Sequence, residues 1–330
     1  MSQLSLFGPP SPEPTAPKVG PAVQPPELHA LRGKLPPNLH LGTSSWSFPG
    51  WAGFVWDREA SEATLAKEGL AAYAQHPLFR TVGVDRTYYA PVTSDVFRRY
   101  ADATPDDFRF LVKAAEACVL SRFPHHPRYG AQKGQENPRF LDAAWATDAV
   151  VQPFVEGLGL KAGLLVFQFP PQELSRLGGE QKLLERLDGF LGALPRGPLY
   201  AVEVRNASLL GPDLAELLRV HGAVPVLSAW GNLPDVERQA ELLHALEREA
   251  LVVRWMLPPG VSYEEARSQF EPFSRLAEPD PGTRGRIARV VRAFSQGKAR
   301  PGWIIVNNKA EGSSPLSVVE LARVVAGEAG

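Results

Sequence analysis

Polar and charged side chains recur in this sequence where short apolar runs end. Asp85, Lys113 and Glu203 each stand at such a position. A carboxylate can transfer protons there, and an ammonium can stabilise developing negative charge. Charged residues rarely occupy the inner end of a strand unless they are paired or functional. We therefore predict that Lys113, Glu203 and Asp85 are catalytic, with Glu203 as a general acid or base held by Arg205.

The apolar runs that carry these residues alternate with helical patterns, which indicates βα units and a parallel sheet. The predicted strands are 39–45, 81–85, 108–113, 163–168, 199–203, 223–228, 251–254 and 302–307. The predicted helices include 61–75, 138–157, 179–194, 212–220 and 315–325. Eight strands are what a closed barrel requires, so we predict an α/β fold, a (β/α)8 TIM barrel, with a doubly wound open sheet as the alternative.

In a barrel of this kind the carboxyl ends of the strands meet at one mouth, where substrates bind. The strand ends therefore predict a polar pocket. Its substrate-binding residues are predicted to be Ser44, Trp46, Gln168, Arg205, Arg254, Asn307 and Asn308. A salt-bridge network that closes the barrel top is the structural alternative, and it is compatible with catalysis. Because Asp85 and Glu203 are the only carboxylates there and no histidine joins them, we expect no metal and no cofactor.

The composition narrows the class of protein. The 35 Lys and Arg against 36 Asp and Glu leave a formal charge of −1, so no overall charge indicates a nucleic-acid or membrane coat. A single cysteine, Cys118, excludes an internal disulfide and points to a reducing compartment. No apolar run is long enough to span a bilayer, and the first ten residues lack the pattern of a secretory signal. We expect a cytoplasmic protein with no membrane partner.

Aromatic side chains are concentrated after the first two predicted strands. They are Trp46, Trp51, Trp56, Tyr88 and Tyr89. Rings at such a place can stack on a sugar face or on an unpaired base, and packing of a lid is the alternative.

Two stretches are rich in basic residues. The first is the long connection 114–137, which contains Arg122, His125, His126, Arg128, Tyr129 and Lys133. The second contains Arg284, Arg286, Arg289, Arg292, Lys298 and Arg300, mostly at helical spacing. The first is typical of a lid or a substrate-binding loop, with a solvated loop as the alternative. The second is typical of a solvated helix face, with contact to an anion or DNA as the alternative.

The N-terminus has a different composition. Ten of the 32 prolines fall within residues 1–37, which predicts a disordered, extended tail before a barrel domain at 38–330. Three large apolar side chains stand near its start, in Gln3-Leu4-Ser5-Leu6-Phe7. This peptide resembles the motif by which bacterial replication and repair proteins dock on the DNA sliding clamp. The resemblance implies that Leu6 and Phe7 fill an apolar pocket, that Leu4 assists them and that Gln3 forms a hydrogen bond. A chance match, or a flap packed on the barrel, is the alternative.

Several blocks of the chain resemble a known family. They are GTSSWSFPGW (42–51), VGVDRTYYAPVTSDVFRRYADATPDDFRFLVKA (82–114), LLVFQFPP (164–171), YAVEVRN (200–206) and IIVNNKAEG (304–312). These blocks are similar to the YecE-like domain of unknown function, a TIM-barrel family, across roughly residues 39–326. The resemblance implies the barrel and a polar pocket. By motif position that pocket contains Ser44, Trp46, Tyr88, Lys113, Gln168, Glu203, Arg205, Asn307 and Asn308.

The chain departs from the family pattern at several positions. Asp85 stands where Asn is usual, Ser45 precedes Trp46 where Gly is expected, and Asn206 stands where His often follows Glu-x-Arg. The run VVRWML also lacks the usual Arg-x-His-Gly ending. These changes argue most strongly against a mechanism that depends on histidine.

Three classes of function remain open. An enzyme that acts on a small phosphorylated or carbohydrate metabolite predicts a closed pocket. A clamp-tethered enzyme that acts on DNA or a nucleotide predicts, in addition, a positively charged mouth. A non-catalytic binding protein predicts polar residues that satisfy one another. An enzyme is favoured by analogy with other barrels, and its acid–base chemistry would make it a hydrolase, a lyase or an isomerase.

Overall fold

Eight parallel strands form a closed barrel in the order of the sequence. The computed structural model describes residues 19–297 and 299–328. Each strand pairs with the next, and the first pairs with the last through a register that sets Leu41 beside Ile304. This closure confirms the (β/α)8 TIM barrel, and the doubly wound open sheet is wrong.

The eight strands agree with the eight predicted runs to within a few residues at each end. They are β1 (Leu39–Thr43), β2 (Phe79–Val84), β3 (Arg109–Lys113), β4 (Ala162–Phe169), β5 (Tyr200–Val204), β6 (Val224–Trp230), β7 (Leu251–Leu257) and β8 (Gly302–Val306).

Helices surround the barrel and follow the strands. In chain order they are α1 (Pro26–Lys34), α2 (Glu62–Glu68), α3 (Leu70–Tyr73), α4 (Ser94–Asp102), α5 (Glu116–Val119), α6 (Ala143–Ala146), α7 (Gln152–Leu158), α8 (Glu180–Ala193), α9 (Pro212–Val220), α10 (Val236–Leu242), α11 (Tyr263–Phe270), α12 (Pro281–Phe294) and α13 (Ser314–Val325). The helix predicted at 61–75 is divided between α2 and α3. The helix predicted at 138–157 begins later and includes a π-helical turn, Thr147–Val151, between α6 and α7.

Alternation along the strands builds the inside of the barrel. In β4, Leu164, Val166 and Gln168 share one face, and in β7 Val252 and Arg254 do the same. The apolar members of such sets form a buried cluster of their own, consisting of Leu111, Leu164, Val166, Ala201, Val224, Val226, Ala250, Val252, Trp303 and Ile305. Because the period is two, the next inward residue of each strand lies one layer closer to the carboxyl ends of the strands. That layer is polar and includes Gln168, Glu203 and Arg254.

A second and larger apolar layer lies between the strands and the helices. Phe167 of β4 packs against Phe190 of α8, for example, with ring centroids 5.1 Å apart. Leu183 and Leu187 are buried on the same side of that helix. The helices thus fix the outward side chains of the strands, and the inward ones are left to form the site.

The segment before the barrel is structured from residue 19, so the prediction of a disordered tail through residue 37 is wrong for 19–37. Pro25 and Pro26 stand at the N-cap and first position of α1, where the missing N–H of proline costs no helical hydrogen bond. Leu28 and Leu31, three residues apart, are buried on one face of the helix. The prolines therefore start a helix here. Residues 1–18 lie outside the described residues.

The connection after β3 is also more ordered than its sequence indicates. It contains α5 and then a hairpin over residues 120–137, in which Arg122 and Glu136 form an antiparallel bridge. The N–H of Phe123 donates to the carbonyl of Gln135 at 3.0 Å. We call this segment the 120–137 hairpin, and it stands beside the barrel mouth.

Candidate functional site at the barrel mouth

The polar layer above the barrel core brings together most of the predicted pocket. The structure pairs Gln168 with Glu203 between β4 and β5, and Ser228 with Arg254 between β6 and β7. Lys113 is the last residue of β3 and Asp85 directly follows β2. The inward faces of five strands therefore present charge or hydrogen-bonding groups to one small volume.

Glu203 is the centre of this layer, and its side chain is completely buried. One carboxylate oxygen accepts hydrogen bonds from Arg205 Nη2 and from Ser228 Oγ, each at 3.1 Å. The other oxygen accepts from Nη1 of Arg254. Gln168 Oε1 accepts from the same Arg254 nitrogen at 3.2 Å. The structural alternative, a salt-bridge network at the barrel top, is thus present in the molecule.

The charge state of Glu203 follows from these contacts. Burial alone would raise the pKa of this carboxyl, but the guanidiniums of Arg254 and Arg205 outweigh burial and lower the pKa to about 2. The carboxylate is ionised at neutral pH and its side chain has no exposed surface. This geometry favours a role in holding two guanidiniums over the predicted role as a general acid or base.

Lys113 is the opposite case, because its ammonium has no carboxylate partner in the part of the chain that the structure describes. Its Nζ lies 3.7 Å from the centroid of the Tyr88 ring, on the ring face. Nζ forms no ion pair and no hydrogen bond with any residue in 19–297 or 299–328. Burial lowers the pKa of Lys113 to about 8, against an opposing effect of Asp85. A fraction of this amine is therefore uncharged near neutral pH.

Asp85 connects the network to the open mouth. Its Oδ1 lies 3.6 Å from Nη2 of Arg254, but this oxygen is buried without a hydrogen-bond partner in the described residues. The side chain as a whole is 35% exposed. The carboxylate therefore faces both the buried guanidinium and the solvent above it. Of the two predicted catalytic carboxylates, Asp85 is the one that a substrate can reach.

Lys309 was not among the predicted site residues, although it directly follows the predicted Asn pair at the end of β8. The residue is only 5% exposed, and its Nζ lies 3.8 Å from the Tyr263 ring centroid and 5.5 Å from that of Phe273. Burial, with Arg267 nearby, lowers the pKa of Lys309 to about 8, and Asp85 is among the groups that oppose this. The sequence could have indicated Lys309, because it belongs to the same block, IIVNNKAEG (304–312), as Asn307 and Asn308.

Asn307 and Ser44 form a second pair at the mouth. Asn307 Nδ2 donates to Ser44 Oγ at 2.8 Å, which links the ends of β8 and β1. Asn307 Oδ1 accepts the N–H of Lys309 at 2.9 Å. These residues are placed at the mouth as predicted, and part of their hydrogen bonding shapes the loop after β8.

Two predicted substrate-binding residues turn away from the mouth. Trp46 is buried in the outer apolar layer, with its ring edge on Tyr100 at a centroid distance of 5.2 Å. Asn308 Oδ1 accepts from the N–H and the hydroxyl of Ser314 at 2.8 and 2.7 Å, so it holds the start of α13. Both residues have structural roles that sequence position alone does not distinguish from substrate binding.

A cleft of about 590 Å³ opens beside the mouth, between the 120–137 hairpin and the segment after β4. Tyr88, whose ring also contacts Lys113, forms one wall of the cleft. Arg128 and Arg186 also line the cleft. Arg128 also lies over the Tyr89 ring, 5.0 Å from its centroid. Lys113 and Asp85 themselves do not line this cleft. The cleft therefore lies beside the polar layer and is separate from these two side chains.

The second basic stretch is mostly paired within the molecule. Arg284 bonds to Glu311, Arg289 to Glu237 at 2.7 Å, and Arg292 and Arg300 donate to backbone carbonyls. This arrangement favours the solvated-face interpretation over contact with DNA. Lys298 lies outside the described residues, as do Gln3, Leu4, Leu6 and Phe7 of the clamp-like motif.

Fold and site together define a TIM-barrel protein with a charged, largely buried mouth. The sequence matches the family described as "Protein of unknown function DUF72" over residues 40–329, and the chain belongs to that family. No functionally curated protein matches it. No helix in residues 19–297 or 299–328 has the length and apolar character needed to cross a membrane.

Solved structures of the same family share the fold. A DUF72 family protein from Enterococcus faecalis V583 has a TM-score of 0.58 at 15% identity, with 88% of this chain and 96% of that chain covered. One from Thermotoga maritima MSB8 has a TM-score of 0.55 at 18% identity, with 87% of this chain and 98% of that chain covered. These similarities support the barrel architecture. Any chemistry has to be inferred from the residues of the mouth.

Proposed function

We propose that this protein is an enzyme whose barrel mouth performs acid–base chemistry on an anionic substrate, with Lys113 and Asp85 as the groups that transfer protons. One observation carries the proposal: the Lys113 side chain is half-buried, with its ammonium on the Tyr88 ring and no carboxylate partner in the described ranges. A purely structural lysine would be paired there, because an unpaired charge that is partly removed from water is costly.

The proton chemistry follows from the lowered pKa of Lys113. An amine whose pKa is about 8 exists in both protonation states near neutral pH, which is the condition for efficient general acid–base catalysis. Asp85 supplies a second group, since its carboxylate is partly exposed and next to Arg254. This pairing suits a hydrolase, a lyase or an isomerase that moves a proton between two positions of one substrate.

The remaining polar residues support these two groups. Glu203 holds Arg205 and Arg254 in place, and the guanidinium of Arg205 also lies over the Trp230 ring, 4.3 Å from its centroid. The walls of the mouth contain the cations Lys113, Lys309, Arg205 and Arg254 against the carboxylates of Asp85 and Glu203. The excess of positive charge favours an anionic substrate, either a phosphorylated or carboxylated metabolite or a nucleotide.

Reactivity of the Lys113 amine tests the proposal without a known substrate. The protein is acetylated with a trace amount of an amine-reactive reagent at pH values from 6 to 11. Peptide mass spectrometry then gives the extent of acetylation of each lysine at each pH, and hence its titration. Lys113 should reach half of its maximal reactivity near pH 8. The exposed Lys182 on α8 serves as the comparison. Half-maximal reactivity near the ordinary value of 10.5 would refute the proposal.

Turnover is then sought on a panel of sugar phosphates, nucleotides and single-stranded DNA that contains abasic sites. Activity found on any of these should fall by about 10² or more in Lys113→Met and in Asp85→Asn, as expected for loss of a general acid or base. Lys182→Met is the matched control, because it removes the same charge from the surface. A substrate turned over equally by all three variants would exclude Lys113 and Asp85 as the reacting groups.

We also propose that residues 3–7 dock the protein on a bacterial DNA sliding clamp. The support is the match of Gln3-Leu4-Ser5-Leu6-Phe7 to the docking motif, together with eleven residues between Phe7 and the first described residue, Val19. Binding of the full-length chain to a purified clamp is compared with that of a variant carrying Leu6→Ala and Phe7→Ala. Micromolar binding that the variant loses supports docking, and identical behaviour of the two proteins contradicts it.

A further inference from the structure

Lys309 lies in the loop after β8 on a backbone that is held in place. The N–H of Ala310 donates to the carbonyl of Asn307 at 3.0 Å, and the N–H of Gly312 donates to that of Asn308 at 2.7 Å. With the bond from the Lys309 N–H to Asn307 Oδ1, the turn has little freedom. The backbone from which the Lys309 side chain extends is therefore fixed by hydrogen bonds within the loop.

The side chain of Lys309 is more than nine-tenths buried, yet its ammonium is unused. Nζ has no ion pair and no hydrogen bond with any residue of the described part of the chain. The Tyr263 ring lies under it at 3.8 Å from the centroid, so the ring face stabilises the cation and the N–H groups point elsewhere. Nζ nevertheless keeps some accessible surface, so a ligand can approach the ammonium.

Lys309 and Lys113 occupy similar surroundings near Asp85. Each ammonium lies on a tyrosine ring, each lacks a carboxylate partner among the described residues, and the Asp85 carboxylate acts electrostatically on both. The rim outside Lys309 contains Arg267 and Glu271, which pair with each other at 2.7 Å. This leaves two ammoniums, one buried and one half-buried, whose N–H groups have no acceptor among the described residues.

A phosphate group offers the Lys309 ammonium more negative charge and more acceptor oxygens than a carboxylate does. A phosphomonoester carries about two negative charges near neutral pH and three terminal oxygens that accept hydrogen bonds. In TIM barrels, phosphate sites commonly form from the loops after the last two strands. Lys309 follows β8, and Tyr263 begins the helix after β7.

We propose that Lys309 binds the phosphate group of a phosphomonoester substrate whose reacting part lies at Lys113. The proposal rests on the function proposed above and adds the substrate class. Lys309 is then a binding residue, and Lys113 and Asp85 perform the chemistry. Tyr263 holds the ammonium in place on the side away from the phosphate.

Calorimetric titration with ribose 5-phosphate and with inorganic phosphate tests this assignment on the full-length protein. The ester should bind, and Lys309→Met should weaken its binding at least tenfold. Lys182→Met should leave the affinity unchanged, because it removes an exposed charge on α8. Thermal unfolding of each variant confirms that it is folded, and phosphate protection of Lys309 from acetylation in the unaltered protein gives a second readout.

Three results would overturn the inference: no binding of the ester at 20 mM, equal affinity of Lys309→Met and the unaltered protein, or inorganic phosphate binding as tightly as the ester. Each leaves the proposed function standing if Lys113 still titrates near pH 8. Conversely, an ordinary titration of Lys113 refutes the proposed function even if the ester binds at Lys309. The two failures are therefore distinguishable.

Discussion

Replacement of Lys113 by methionine should stabilise the protein at neutral pH. The side chain is half-buried, with its ammonium on the Tyr88 ring and no carboxylate partner in the described residues, so folding removes part of the water around a charge. Methionine keeps the length and the apolar stem of lysine and can contact the same ring through its sulfur. The variant removes the charge and little else.

The magnitude follows from the two pKa values of Lys113. A decrease from the ordinary 10.5 to about 8 costs about 3.5 kcal/mol of folding free energy below pH 8, at about 1.4 kcal/mol for each pKa unit. The contact of the ammonium with the Tyr88 ring returns about 0.5 to 1 kcal/mol. Lys113→Met should therefore raise the free energy of unfolding by about 2 to 3 kcal/mol at pH 7.

The sign of the pH dependence is also determined. Since the folded-state pKa is the lower one, the unfolded chain binds more protons between pH 8 and 10.5, and the unaltered protein gains stability across that window. The advantage of the methionine variant should be complete below pH 8 and should disappear by about pH 10.5.

Urea unfolding followed by circular dichroism at pH 7, 8, 9 and 10 measures the difference between the two proteins. Subtraction cancels the titration of every other group. Lys182→Met, on the exposed surface of α8, should show no such difference. A Lys113→Met variant that is less stable at pH 7, or whose advantage does not change with pH, would refute the description of Lys113 as a desolvated, unpaired charge.

Three further substitutions test other contacts. Arg254→Met should lower the free energy of unfolding by about 3 to 5 kcal/mol in urea, because it removes a main partner of the buried Glu203 carboxylate. Gly50→Ala should lower the melting temperature, since a Cβ there would lie 1.7 Å from the carbonyl oxygen of Pro272; an unchanged value would contradict this close approach. Asn308→Ala should cost about 1 to 3 kcal/mol by calorimetry, because two buried hydrogen bonds to its side-chain oxygen disappear.

The limits of the sequence are clearest at α1 and at Glu203. Proline content predicted a disordered segment through residue 37, but Leu28 and Leu31 pack onto the core and the two prolines begin a helix. Glu203 was predicted as a proton-transfer group held by Arg205, but the second guanidinium, that of Arg254, comes from β7, 51 residues further along the chain. Local composition does not report such distant neighbours.

The sequence by itself determined the barrel and the layer from which the site is built. The pattern of a strand is local, because its period of two places every second side chain on the inner face of the barrel. This rule places the side chains of Lys113, Gln168, Glu203 and Arg254 on the inner face. Tertiary structure decided what each of them does. Burial and pairing set the charge of a side chain, and both depend on groups far apart in the chain. Closure of the barrel therefore surrounded the Glu203 carboxylate with two guanidiniums and left Lys113 and Lys309 without a carboxylate partner among residues 19–297 and 299–328.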